Sequence, residues 1–350
     1  MCKEIIVIVF IFSITKFQST GQSFANKSDF TNFLLTYKIL STGNTNFSDS
    51  LINLPSTQRL IKQCARFDKE ATSVRYIEEL LAAVRNEKLS RYSFRFHTCK
   101  GALKQFEVIY RHLQTNQDSL NQYLHNNLVK YLNPKDVLNT EACFLLGGTS
   151  DGFANGNIFC VDLAFFNDDI EGFKLLTLHE MFHIVQSFIK PENHNINLNN
   201  TTQKINNLFT NVLNEGSASF IANPLLINQP GTYNKCFQGK YRLNLNRIKD
   251  NFQLFESMLI RLHTDSIATF EDIYAIGFSG RWESPLYYVG FVMCELMQKY
   301  EGDTFLNKYL RDNPLKFIKG YIKYSTLENM PSKYPLLGSY SINIINKIVE

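Results

Sequence analysis

The sequence predicts an α+β fold, mostly helical, with a small β-hairpin or sheet placed just before a buried central helix. Three observations predict it. Apolar residues recur at three- and four-residue steps from Ser56 to Leu132, and again beyond about residue 170. Two short runs rich in β-branched and aromatic residues, ACFLLGG and NIFCVDLAFF, lie between those stretches. Strands grouped together among runs of helix, without regular alternation, mark the α+β class.

The individual elements follow in order. Residues 26–54 are rich in Asn, Ser, Thr and Phe with weak periodicity, and read as a loose lead-in. The segments STQRLIKQCARF, TSVRYIEELLAAVRNEK, LKQFEVIYRHLQ and DSLNQYLHNNLVKYL each carry a helical apolar stripe. Asn133-Pro134 ends this run, because the residue before proline is pushed away from helix. A β-hairpin is expected at 142–147 and 157–163, joined by the turn-rich TSDGFANG. A helix from about 170 to 190 ends before Pro191, and another runs from about 203 to 221 and stops near Asn223-Pro224. The stretch NQPGTYNKCFQGK reads as a loop, followed by helices at about 243–263, 285–300 and 303–312. This divides the chain into a helical N-terminal region, 26–132, and a second region, 135–350. No Pro/Gly/Ser-rich linker separates them, which is also compatible with one compact unit.

Composition bounds the function. At 350 residues, 44% hydrophobic and 19% charged, the chain is an ordinary globular protein with enough length for a substantial core. A net charge of +4 and the absence of any block of five basic residues argue against nucleic acid as a partner. The N-terminus, MCKEIIVIVFIFSITKFQSTGQSFA, reads as a signal peptide over 1–21, with Ile5–Ile14 as its apolar core and small residues at the cleavage position. Ten mostly apolar residues are too few to span a bilayer, and no later stretch approaches 18. The expectation is an exported protein, periplasmic or extracellular, with no stable membrane span after signal removal. Six cysteines follow the signal, irregularly spaced and without a CxxC pair, so a zinc-finger arrangement is excluded while disulfides stay open.

The stretch LTLHEMFHIVQ carries the chemistry. His179 and His183 stand four residues apart, nearly above one another on one helix face, with Glu180 beside them. Two neutral imidazoles at that spacing suit Zn2+, one ion per chain, and leave room for a third protein ligand and a water. A carboxylate next to that water can act as general base. The surrounding Leu175, Leu176, Leu178, Met181, Ile184, Val185, Phe188 and Ile189 make the helix apolar almost all round, hence buried. Unpaired polar groups there would be costly, and a bound metal resolves that cost. Two core histidines satisfied by backbone carbonyls are the bland alternative.

The third ligand sets the type. Gln186 and Ile189 occupy the places where a metzincin needs Gly and His, which excludes that class. His194 lies beyond Pro191 in a polar loop and is a poor candidate. Glu215, in LNEGSASFIA on the next helix, is the better one. The small residues Gly216, Ser217, Ala218 and Ser219 would let the two helices approach closely enough to share an ion.

With HEMFH, NEGSA and SPLYYVG in view, the chain resembles the gluzincin class of zinc metallopeptidases, and more closely a group of mostly bacterial proteins described as zinc-dependent peptidases. The resemblance covers about residues 140–312. It implies a zincin-like fold, His179, His183 and Glu215 as zinc ligands, and Glu180 as general base. It implies a peptide or protein substrate laid against an edge strand, which the resemblance places around Asn157–Leu163. Oxyanion stabilisation falls to Tyr287 or Tyr288, with Tyr287 favoured as the tyrosine of YxxG. One departure stands out: Ser219 sits where well-studied gluzincins carry an Asp bonded to a ligand histidine.

Other features say less. Arg281, Trp282 and Glu283 before the YY segment either line a cleft or, as is commoner for a lone Trp and a charge cluster, serve structure, and Gly147–Gly152 reads as a hairpin turn, not a phosphate or calcium loop. The rival to an exported metallopeptidase is a non-catalytic exported binding or structural protein that keeps zinc as a staple. Glu180 argues against it, since a structural site has no use for a base beside its ligands.

Overall fold

In the computed structural model the described residues are 17–19, 22–190, 200–280 and 283–348, with side chains described from residue 26 onward. The expected α+β class holds: helices dominate, around one five-stranded sheet. The strands are β1 (Phe17–Ser19), β2 (Gln22–Asp29), β3 (Val137–Leu145), β4 (Gly152–Asn155) and β5 (Ile158–Asp162), in the spatial order β1-β2-β3-β5-β4. The three central strands run parallel, and β1 and β4 lie antiparallel at the two edges.

Two expectations about the strands are corrected. The runs at 142–147 and 157–163 are not a hairpin: β3 and β5 are parallel neighbours, with Cys143 opposite Cys160. The hairpin is instead β4–β5, closed at Gly156 and Asn157 with Asn155 facing Ile158. Gly156 takes φ +62°, the left-handed conformation such a turn requires. The turn-rich appearance of TSDGFANG therefore concealed a strand. It follows that β5 is interior, and the edge strand is β4, not the segment around Asn157–Leu163.

The N-terminal half builds α1 (Thr31–Thr42), α2 (Ser48–Ile52), α3 (Pro55–Ala65), α4 (Ser73–Arg85), α5 (Phe96–Gly101) and α6 (Leu103–Leu128). Residues 26–54 are thus ordered structure and not a loose lead-in. Their periodicity is weak because α1 turns Asn32 and Thr36 into the core with Phe33, Ile39 and Leu40. The buried Asn32 amide is satisfied, donating to the Thr57 hydroxyl at 2.8 Å and accepting from the Leu146 N–H at 3.0 Å. The two helices read at 103–132 are present as the two arms of α6, which meet at a kink where Asn116 leaves helical geometry at φ −126°, ψ 25°. Of the expected signal segment, residues 1–16, 20 and 21 lie outside the described residues, and Phe17–Ser19 form β1.

The second half contributes α7 (Ile170–Ile189), α8 (Thr201–Ile221), α9 (Thr232–Asn246), α10 (Ile248–Thr264), α11 (Phe270–Gly277), α12 (Pro285–Glu301), α13 (Phe305–Tyr309), α14 (Pro314–Ser325) and α15 (Ser339–Lys347). NQPGTYNKCFQGK is largely α9 and not a loop. Its buried face is Asn234, Gln238, Tyr241 and Asn244, polar residues at helical spacing that a hydropathy pattern does not register. Gln238 donates to the Pro224 and Ile227 carbonyls, both at 2.9 Å, which makes that face structural.

α7 is the hinge of the architecture, packing against β3, β4 and β5 on one side and α8 on the other. Asp169 caps its start by accepting from the Gly172 N–H at 2.9 Å, while Asn200 caps α8 through the Thr202 N–H at 2.8 Å. β2 pairs with β3 from Ser23–Val137 to Asp29–Cys143, and the buried apolar cluster runs from Phe30 to Ile348. The six cysteines Cys64, Cys99, Cys143, Cys160, Cys236 and Cys294 are free thiols, and all but Cys236 are buried. No helix among the described residues is long and apolar enough to cross a membrane.

Candidate metal centre

α7 presents His179, Glu180 and His183 from its middle turns, and α8 brings Glu215 to meet them. His179 Nε2 lies 3.1 Å from His183 Nε2, and Glu215 Oε2 lies 3.6 and 3.3 Å from those two nitrogens. The two imidazole rings stand nearly perpendicular, at 84°. Glu215 Oε2 is buried and has no hydrogen-bond partner, an orphaned acceptor of the kind that native interiors rarely leave unfilled. The point equidistant from three atoms with these separations is about 1.9 Å from each, close to the about 2.0–2.2 Å of zinc bonds to His nitrogen and carboxylate oxygen. The donor set therefore fits a zinc-sized cation. Among the described residues these three form one of two groups able to hold a metal; the other is Asp29, Glu141 and Cys143.

Electrostatics follow from this crowding. Burial alone would raise the Glu215 carboxyl, but His183 and His179 hold it well below the usual carboxylate range. Burial likewise disfavours a charged His183, yet Glu215 overrides it and pushes that imidazole up. For His179 burial wins and its value is lowered. Glu180 is different: it is buried, and burial pushes it up to about 8 against the opposing charge of His183. The side chains of His179, His183 and Glu215 keep 12, 19 and 14% of their exposure, so the cluster is mostly buried.

The helix that carries Glu215 is held by a second helix. Gly216 faces Gly290 on α12, and a Cβ at Gly290 would lie 2.7 Å from the Gly216 Cα and collide with the Val212 carbonyl. The small face of NEGSA thus serves chiefly the α8–α12 contact, correcting the expectation that Gly216 admits the HEMFH helix. Ser217 does face α7, where its hydroxyl accepts from the Gln186 side-chain amide at 2.9 Å. One turn before Gly290 on α12, Tyr287 arrives parallel to the His179 ring, with centroids 6.3 Å apart and 9° between planes. Tyr288 points elsewhere, packed edge-on to Tyr241 at 4.9 Å in the core. Burial and then the Glu215 carboxylate push the Tyr287 hydroxyl well above its ordinary value.

Several residues near the cluster escaped the sequence reading. Gly152, first residue of edge strand β4, lies directly over Glu180: a Cβ there would sit 2.9 Å from Glu180 Cγ and 3.0 Å from Leu176 Cδ2. Asp151 precedes it and accepts from the Tyr233 hydroxyl of α9 at 2.7 Å; its charge acts on both His179 and Glu180. Gln186 Oε1 lies 2.8 Å from His183 Nδ1, so the ring partner lies on α7 itself. Ser219 does not fill that place; its carbonyl accepts from the Tyr241 hydroxyl at 3.0 Å. The one available signal was spacing, since Gln186 stands three residues after His183 on the same helix face. His194, Arg281 and Trp282 lie outside the described residues, and Glu283 belongs to neither group able to hold a metal.

A cluster of two imidazoles and a carboxylate across two packed helices, with the buried Glu180 carboxyl beside it, defines a candidate metal centre of the hydrolytic kind. The family comparison agrees. A family model described as "Putative zinc dependent peptidase (DUF5700)" matches residues 48–329, and the chain belongs to that family. The matched span takes in α2–α6 as well as the whole cluster, so the N-terminal helices are part of the family unit. No curated protein and no solved structure matches the chain.

Proposed function

We propose that the chain is an exported zinc metallopeptidase of the HExxH gluzincin type, with His179, His183 and Glu215 holding one zinc. The observation that carries this reading is the convergence of His179 Nε2, His183 Nε2 and the orphaned Glu215 Oε2 within 4.8 Å of one another. Zinc bound there supplies Lewis acidity to a water and to the peptide carbonyl. Glu180 receives the proton of the attacking water and delivers it to the leaving amine, and its location one residue from a ligand suits that task. Tyr287 donates its hydroxyl hydrogen to the developing oxyanion. Among the described residues β4 pairs only with β5, so its outer edge can take an extended peptide by backbone hydrogen bonds alongside Glu180. A set of three protein ligands leaves a fourth position for water, which favours catalysis over a structural zinc, whose four positions are taken by protein.

The test is metal content together with hydrolysis. Purified protein is expected to hold one zinc per chain and to cleave members of a peptide library. Glu180→Gln should keep the zinc and lose activity by about 10²–10⁴-fold. Retained zinc with no cleavage by the wild type would support the structural-zinc rival. For export, the expected mature N-terminus is near Gln22, a cut that leaves the β2–β3 pairing intact.

A further inference from the structure

We infer that Gln186 is a positioning residue that sets the imidazole tautomer of His183 and locks it to the helix bearing Glu215; this rests on the metal reading above. The hydrogen bonds around its side chain permit one orientation. The Asn214 carbonyl has only lone pairs to offer, so the atom 2.9 Å from it is the amide nitrogen, which donates. The second N–H of that nitrogen reaches Ser217 Oγ at 2.9 Å, whose own hydrogen goes to the Leu213 carbonyl at 2.6 Å. Both amide hydrogens are committed, and Oε1 is left facing His183 Nδ1 at 2.8 Å. An acceptor there requires a hydrogen on Nδ1. In the neutral ring Nε2 then carries the lone pair, and Nε2 is the atom that faces His179 and Glu215.

The same amide ties two helices. Asn214 and Ser217 stand one residue before and two residues after Glu215 on α8, while Gln186 and His183 are neighbours on α7. Gln186 is only 5% exposed, so water does not compete for these bonds. One side chain thus determines which nitrogen of His183 is offered and how α8 is seated against it. A carboxylate on the following helix, the partner expected at position 219, is unnecessary for His183.

Two variants separate tautomer control from a plain helix tie. Gln186→Leu removes every bond; Gln186→Glu keeps an acceptor for Nδ1 but loses the donation to Asn214. Zinc affinity, measured by competition with a chelator, is expected to weaken about 10–100-fold in Gln186→Leu and clearly less in Gln186→Glu, which loses the tie to α8 but keeps the acceptor for Nδ1. Nitrogen NMR of labelled histidine, on metal-free wild type at a pH where the rings are neutral, should show His183 protonated at Nδ1. Wild-type affinity in Gln186→Leu, equal losses in both variants, or a hydrogen on Nε2 would overturn the inference. Should Gln186→Leu fail to fold, Gln186→Glu and the NMR measurement still decide. A wild type that takes no zinc would instead sink the metal reading, and the NMR result would stand apart from it.

Discussion

Gly216 and Gly290 meet backbone to backbone, and a Cβ on either would run into the other's chain. Glu215 precedes the first glycine and Tyr287 stands one turn before the second. The contact therefore brings a candidate ligand and a candidate oxyanion donor to the same place. Gly290→Ala would put a methyl group 2.7 Å from Gly216 Cα and against the Val212 carbonyl, neither of which is the free end of a side chain. Overpacking of this kind costs about 1–3 kcal/mol, and thermal denaturation should show it together with weakened zinc retention. Gly239→Ala, on the exposed side of α9 with open space around it, should be neutral or stabilising by up to about 1 kcal/mol.

Gly152 tests the closeness of β4 to Glu180. The methyl group of Gly152→Ala would arrive 2.9 Å from Glu180 Cγ, so the carboxyl must move. Misplacing a reacting group by about 1 Å can cost about 10²-fold in rate, and kcat should fall on that scale while zinc content and melting temperature stay near wild type. Unchanged kcat would mean that the acid does not work from its observed position.

For the two adjacent tyrosines the structure makes opposite forecasts. Tyr287→Phe should lower kcat by about 10²–10³-fold with little change in KM or zinc content, as expected for a lost oxyanion donor. Tyr288→Phe, in the core against Tyr241, should change stability by about 1 kcal/mol and leave kcat alone. Equal kinetic effects from both would remove Tyr287 from the mechanism.

Chelation should destabilise the wild type. A metal held only by the native state adds about 4 kcal/mol at a thousandfold excess over Kd. The melting temperature should therefore drop on addition of a chelator and recover with zinc. In Glu215→Ala the chelator should have almost no effect, because the site is already broken. A full response in that variant would point to a different third ligand.

How much of this was legible in the sequence depends on the range of each interaction. HEMFH was readable because four residues of helix fix the relation of His179 to His183 with no help from the rest of the chain. Helices with clear apolar stripes, such as Pro55–Ala65 and Ser73–Arg85, were readable for the same reason. α1 and α9 were not, because they bury Asn, Thr and Gln side chains whose partners lie in distant segments. β4 was hidden because its strand character comes from pairing with β5, and GFAN alone resembles a turn.

By itself, then, the sequence determined the α+β class, the pair of imidazoles with their neighbouring glutamate, and Glu215 as the residue to meet them. Only the tertiary structure decided that β4 is the edge over Glu180, that Tyr287 and not Tyr288 faces the cluster, and that Gln186 holds His183. Local patterns report what one helix turn or one strand repeat imposes. Which side chains converge from separate elements is set by how helices and sheet pack, and there a contact such as Gly216 on Gly290 joins residues that no spacing rule connects.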